Sequence, residues 1–371
     1  MRYKDKREIV VSIDKASEHA NFGGFLHDNF DLFNRVHECD RILVKINLPF
    51  WTTPPGSLTK AETLLDLRSF LRKVFPCTPV FIVESRYGWV PVKVLQEYGI
   101  GYRDVIDFFE RPTFFTHGTF AGLGGKHLNI PLTKEVKNPK NFLITIGPPK
   151  THEFVIYTGA VKTKMGFLRM KKRHVHGITK IEDMNNPAKW DEMVKCLHMN
   201  LVTLNDMVKV DVSILDGTEC MEGEGPVHGT RVNWDLWAIS NNEVALDYVM
   251  TILMGLEPHE IAYLWQLMED REELRNDLDD FFVSLNVMEK YGRNFKPPAN
   301  ISDELRVSKA LIREWSGEVS YWESLSEQAK GHLRKCGAGY NDCLKEDRIF
   351  IVCSTCGACV DILDAKKVKR S

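Results

Sequence analysis

Five short runs of branched apolar residues punctuate the first two-thirds of the chain: EIVVSI (8–13), RILVKI (41–46), PVFIVE (79–84), NFLITIG (141–147) and KVDVSILD (209–216). Each is nearly continuous in apolar side chains and bounded by turn formers, the pattern of strands buried on both faces. Between and after them, residues 59–75, 185–208 and 241–255 carry helical periodicity. Thr59 and Glu62 stand in capping-box spacing at the start of the first of these. Strands alternating with helices restrict the fold to an α/β class: a mostly parallel sheet with helices on both faces.

The chain has 371 residues, more than one typical core needs. An α/β domain is expected over 1–275, with the Gly- and aromatic-rich stretch 104–140 as an insertion or lid. From 276 to 371 the composition turns charged and helical and then cysteine-containing, and YGRNFKPPANIS (291–302) reads as a linker. The net charge of -2 supplies no basic field, so nucleic acid is not an expected partner. No run approaches 18 apolar residues, so no membrane span is expected. The first residues, MRYKDKREIVVSIDK, lack the apolar core of a signal peptide, and a cytoplasmic location is expected. In that setting the nine cysteines read as thiols or metal ligands rather than disulfides.

An open parallel sheet binds ligands beyond the carboxyl ends of its strands. Those ends carry Lys45 and Asn47; Glu84 and Ser85; Lys150 and His152; Asp216; and, after 235–240, Asn241 and Asp247. Singly, each is an ordinary turn former or cap; their convergence points to a site. Residues 148–177 interleave Lys150, His152, Lys162, Lys164, Lys171, Lys172, His174 and His176 with apolar residues. Were 153–166 a helix, Thr158 and Lys162 would share a face. Lys and His beside a helix start suit a phosphate or carboxylate. The loop DGTECMEGEGPVHG (216–229) offers Glu219 and Glu222 beside Gly223, Gly225 and Gly229. Its acids suit a hard cation such as magnesium, or the lysines just named. Its glycine spacing is neither a dinucleotide fingerprint nor a P-loop. No GxSxG elbow or HExxH motif is present.

Near the end, CSTCGACVDIL (353–363) spaces Cys353, Cys356 and Cys359 like a cluster-binding loop, but Leu363 stands where a ferredoxin would place its fourth cysteine. Cys343, or alternatively Cys336, completes a set of four thiolates. A [4Fe-4S] cluster, a tetrahedral zinc and no metal all remain open on this spacing. Cys39, Cys77, Cys196 and Cys220 lie in apolar or helical contexts and are expected to be core thiols.

The order ILVKINLP, VESRYG, GPPKTHEFVIYTGAVKTKMG, HVHG, ILDGTECMEGEGPVHG and SNNEVALDYVMTILMG resembles the domain of unknown function 362 family over roughly residues 39–270. The resemblance points to Lys45, Asn47, Glu84, Ser85, Lys150, His152, Lys162, Lys164, His174 or His176, Asp216, Glu222, Gly223, Gly225 and Asp247. It departs at Thr163, where the family often has Asn. It also implies a ferredoxin-like segment with a [4Fe-4S] cluster, as many members carry. The resulting expectation is an iron–sulfur redox protein acting on a small anionic metabolite, with an electron-transfer protein as partner. His152, Glu84 and Lys162 would be its catalytic groups, and Lys45, Lys150 and Lys164 would hold the anion. The alternative is a metabolite-binding or assembly protein with a structural zinc in its tail.

Overall fold

A computed structural model describes residues 1–6, 8–48, 56–85, 95–108, 114–169, 174–180, 182–183, 186–269, 271–282 and 285–316, with two further short strands at 350–352 and 359–361. The strands in chain order are β1 (Arg2–Lys4), β2 (Val10–Lys15), β3 (Arg41–Ile46), β4 (Val80–Glu84), β5 (Val105–Asp107), β6 (Phe114–Gly122), β7 (Lys126–Thr133), β8 (Asn141–Gly147), β9 (Lys150–His152), β10 (Ile156–Thr158), β11 (Val212–Asp216), β12 (Cys220–Glu222), β13 (Thr230–Val232) and β14 (Leu236–Ser240). The helices are α1 (Phe22–Asp28), α2 (Ala61–Val74), α3 (Ala160–Thr163), α4 (Trp190–Met207), α5 (Glu243–Leu253), α6 (Ala262–Met268), α7 (Glu272–Phe282), α8 (Leu285–Tyr291) and α9 (Ile301–Trp315).

The main sheet has the order β1-β2-β14-β11-β8-β3-β4-β5. From β11 to β5 every pairing is parallel, and β14, β2 and β1 join antiparallel. Strand side chains alternate between faces. Ile42, Val44, Ile46, Ile82, Ile144 and Ile214 therefore turn one way, into a core with Phe22 and Phe25 of α1, Phe33, and Leu64, Leu67 and Leu71 of α2. Leu43, Val83, Leu143 and Leu215 turn the other way, against α4, α5 and the β6–β7 hairpin. Both faces are covered, which is why these strands read as unbroken apolar runs.

Three expected features change. The stretch 104–140, expected as an insertion or lid, is built into the fold: β5 is the edge strand of the main sheet, and Phe120, Ile130 and Leu132 of the β6–β7 hairpin are core residues. The expected boundary at 275–276 falls inside the core, since Leu278, Phe282, Val287, Tyr291, Phe295 and Val307 bury in the same cluster as the sheet. The capping box at Thr59 does not form. Lys60 occupies the N-cap of α2 without a side-chain bond, and the Thr59 hydroxyl instead donates to the Ile146 carbonyl at 2.8 Å and accepts from the Asn47 amide at 2.7 Å. It ties the ends of β3 and β8 together.

Candidate functional site

The chain runs from β3 outward through β4 to β5, then returns and runs outward the other way through β8 to β11. The carboxyl ends of β3 and β8 therefore diverge, which is the position where open sheets leave a crevice. Here a second, four-stranded sheet of order β10-β9-β12-β13 grows directly out of the ends of β8 and β11 and roofs that edge. Residues 153–166 are accordingly not one helix. They form β10 and then the single turn of α3, so Thr158 and Lys162 do not meet as helical neighbours.

Lys45 follows Leu43 on the face of β3 that meets the 154–168 segment, and its side chain is buried. Its Nζ pairs with Glu84 Oε2 at 3.0 Å and donates to the Ile46 carbonyl. The Glu84 carboxylate also accepts the amides of Leu48 at 3.3 Å and Ser85 at 2.9 Å. A carboxylate with three donors of its own is an anchor for Lys45 rather than the free acid–base group expected of it. Gly166 lies flat on this pair. A methyl there would overlap Lys45 Cε and Glu84 Oε1. The Ser85 hydroxyl beside it is buried and has no hydrogen-bond partner among the described residues.

Lys150 is 1% exposed. Its Nζ donates to the Ser57 carbonyl at 2.8 Å, the same oxygen that accepts Asn47 Nδ2 at 2.5 Å. Among the described residues no carboxylate lies within ion-pair distance of it. Burial holds its pKa well below the ordinary lysine value, and the nearby charges of Lys162 and Lys45 act in the same sense. On the paired strand Thr158 stands opposite Lys150, and its hydroxyl is buried and unpartnered. His152, two residues along the same face of β9, accepts the Phe154 amide on Nδ1 at 3.0 Å, so its neutral ring carries the proton on Nε2. His176 is buried and packs edge-on to Phe154 with ring centroids 5.2 Å apart. The side chain of His174 lies outside the described residues.

The other expected ligand residues serve the fold. Lys164 is fully buried with its Nζ on Glu243 at 2.6 Å, on Asn205, and on the Val208 carbonyl at 3.2 Å. Burial still lowers its pKa, with Glu243 opposing. Asp216 lies two residues after Ile214 and shares its face, opposite the face of the sheet that Lys45 takes. There it accepts from Thr63 at 2.5 Å, from Thr218 and from Trp237. Asp247 on α5 receives the Tyr157 hydroxyl at 3.0 Å and the amides of Ala160 and Val161 at 2.7 and 2.9 Å, capping α3 from outside. Burial pushes its carboxyl up to about 7 against those bonds. Glu222 accepts the Lys296 amide at 3.1 Å. The glycine-rich loop makes its close approach to β9 rather than to a ligand: the Gly223 carbonyl accepts the Thr151 hydroxyl at 2.8 Å, and a methyl at Gly225 would overlap the Thr151 carbonyl. Asn241 Oδ1 accepts the Val10 amide at 2.8 Å.

Lys45, Lys150 and Lys162, with Glu84, Ser85 and His152, are thus the expected residues that remain at the roofed edge. Ser57 and Thr158 join them. Thr158 was expected only as a helical neighbour of Lys162, and Ser57 was not marked; the glycine before it, Gly56, has φ +88, a turn conformation that favours glycine. Of the cysteines expected in the core, Cys196 and Cys220 are buried, Cys39 is half-buried and Cys77 is exposed. Among the described residues no cluster of three or more His, Cys, Asp or Glu could hold a metal ion. Cys336, Cys343, Cys353 and Cys356 lie outside the described residues. Cys359 heads the strand Cys359–Asp361, which pairs antiparallel with Phe350–Val352 so that Val352 faces Cys359.

Residues 42–251 match the family described as domain of unknown function (DUF362). The chain belongs to this family. The DUF362 segment therefore runs from β3 to α5 and contains every residue of the roofed edge. A thylakoid-associated protein of Synechocystis sp., sll1697, is 28% identical over 159 residues, which is 43% of this chain and 46% of that protein, so the match spans less than half of the relative's length. A crystallised protein from Thermotoga maritima superposes with a TM-score of 0.37 at 12% identity over 57% of this chain and 53% of its own, too slight a likeness to carry a fold assignment. No helix among the described residues is long and apolar enough to cross a membrane.

Proposed function

We propose that the DUF362 segment binds a small anionic metabolite, a phosphate or a carboxylate, at the roofed carboxyl edge. The observation that carries this reading is Lys150: a lysine buried within a protein normally sits against a carboxylate, as Lys45 and Lys164 do, whereas among the described residues Lys150 has only a backbone carbonyl. Lys162 and Lys45 add positive charge beside it, and the hydroxyls of Thr158 and Ser85 are donors without acceptors. Buried donors gathered without acceptors are what an anion site needs before its ligand arrives. Calorimetric titration with inorganic sulfate tests the reading. Saturable binding by the natural chain, weakened at least about tenfold in Lys150→Met, supports it. Equal affinity in both, or no binding, contradicts it.

For the tail we propose a [4Fe-4S] cluster on Cys343, Cys353, Cys356 and Cys359, with Cys336 as the alternative fourth ligand. Support comes from the donor set, four thiolates with three at two-residue spacing. The hairpin register also sets Val352, next to Cys353 in the chain, opposite Cys359. Such a group supplies one-electron transfer, which makes an electron-transfer protein the natural partner. Metal and sulfide analysis on protein purified without oxygen decides between occupants. About four irons and four sulfides per chain agree with the cluster, and one zinc without visible absorption replaces it with a structural site.

A further inference from the structure

The position of Lys150 gives it a chemistry beyond charge. Its Nζ donates one N–H to the Ser57 carbonyl, and no acid among the described residues is close enough to form an ion pair with it. Burial favours the uncharged amine, and Lys162 and Lys45 add to that preference. Cys220 opposes it only as a thiolate, and burial pushes the Cys220 thiol up, keeping it protonated. A neutral amine bonded to a carbonyl through its hydrogen keeps its lone pair directed elsewhere.

What shares its face is suited to a reaction at that lone pair. Lys150 and His152 project from the same side of β9, roughly 7 Å apart along the strand. The protonated Nε2 of His152 is a donor, since Nδ1 is taken by the Phe154 amide. Thr158, opposite Lys150 in the strand register, presents a buried hydroxyl with no partner. The enclosure is tight: a methyl at Gly166 would overlap Lys45, and one at Gly225 would overlap the Thr151 carbonyl.

We propose that Lys150 is a Schiff-base nucleophile and that the ligand of this site is a small 2-oxo carboxylate, its carbonyl carbon meeting Lys150 and its carboxylate meeting Lys162. This rests on the reading of the lysine cluster as an anion site. In the step, the Lys150 lone pair forms a bond to the carbonyl carbon while the C=O π electrons move to oxygen. The Nε2–H of His152 and the Thr158 hydroxyl hydrogen-bond that oxygen as charge gathers on it. Both amine protons pass to the oxygen, the C–O bond breaks, and water leaves as C=N forms. No oxidant or reductant is consumed. A lysine desolvated beside other cations is the arrangement that makes such an amine nucleophilic at neutral pH.

The test is reductive trapping on the full-length protein. Pyruvate and cyanoborohydride are added, and the modified lysines are located by peptide mass mapping. The proposal expects one dominant adduct on Lys150 that saturates with pyruvate, falls at least tenfold in His152→Gln, and is suppressed by sulfate. In Lys150→Met and Lys150→Arg that adduct is absent, and no other lysine takes its place with saturating dependence. Labelling spread over exposed lysines with none on Lys150 overturns it. Lactate, which has the carboxylate but no carbonyl, separates the two readings. Calorimetric binding of lactate and sulfate without trapping of pyruvate leaves the anion site standing and removes the Schiff base, while absence of both removes both.

Discussion

Lys164 and Lys150 are both fully buried, and only one has a carboxylate. Lys164 faces Glu243, 79 residues away, together with Asn205 and the Val208 carbonyl. Replacing it with Met leaves Glu243 buried and uncompensated, a loss of about 3–5 kcal/mol. Lys150→Met removes an amine with a single carbonyl bond and is expected to leave stability within about 1 kcal/mol of the natural chain. Urea unfolding of the two variants checks the contrast, and equal losses would deny that the lysines differ. From sequence the two residues looked alike, each a lysine among apolar neighbours in one segment. What separates them is a partner far along the chain, which no local pattern encodes. Asp216 was misread for a related reason. Its strand was recognised, but which face of the sheet Asp216 takes depends on α2 covering that side.

The long elements were legible. The apolar runs 41–46 and 141–147 are β3 and β8 to the residue, because strands covered on both faces must be apolar throughout. The three-residue strands β9, β10 and β12 were not legible, since nothing that short shows a period. With them went the second sheet, which turns the expected open crevice into a roofed one. A buried histidine shows how helix packing appears in solution behaviour. His198 on α4 is fully buried, accepts the Tyr263 amide of α6 at 3.2 Å, and has no partner on Nε2. Burial lowers its pKa to about 3. The unfolded chain then binds the extra proton between pH 6.5 and 3, so the stability His198 allows is complete above about 6.5 and is lost as pH falls. From pH 6.5 to 4.5 the loss is about 2–3 kcal/mol. Asp247, pushed up to about 7, titrates in the opposite sense over much of this range. The difference between the natural chain and His198→Gln therefore isolates the histidine: the natural chain loses stability more steeply with acid, and parallel curves would contradict the assignment.

The α/β class follows from the alternation of strands and helices, and the family's span from the ordered motifs that resemble it. The limit of the core does not. The charge-rich helices after 272 resemble a separate tail, yet Leu274, Leu278 and Phe282 make up the buried stripe of α7, and Tyr3 of β1 packs edge-on to Phe281 and tilted against Phe282. A narrow apolar stripe on a charged helix looks the same whether it covers its own module or a sheet 270 residues earlier. A chain ending after residue 316 is expected to unfold cooperatively. One ending after 275 loses Phe282, Tyr291, Phe295 and Val307 from the core and is expected to show no sharp transition in circular dichroism. A sharp transition in the shorter chain would restore the earlier boundary.

The account centres on a buried Lys150 whose charge burial disfavours and which awaits an anion. Titration with sulfate in two buffers of different ionisation enthalpy tests this most directly, because sulfate itself does not titrate near neutral pH. The prediction is saturable binding coupled to uptake of about one proton near neutral pH, as the anion restores the charge that burial withholds, with the uptake gone in Lys150→Met. Binding without proton uptake, or uptake that persists in that variant, would contradict it.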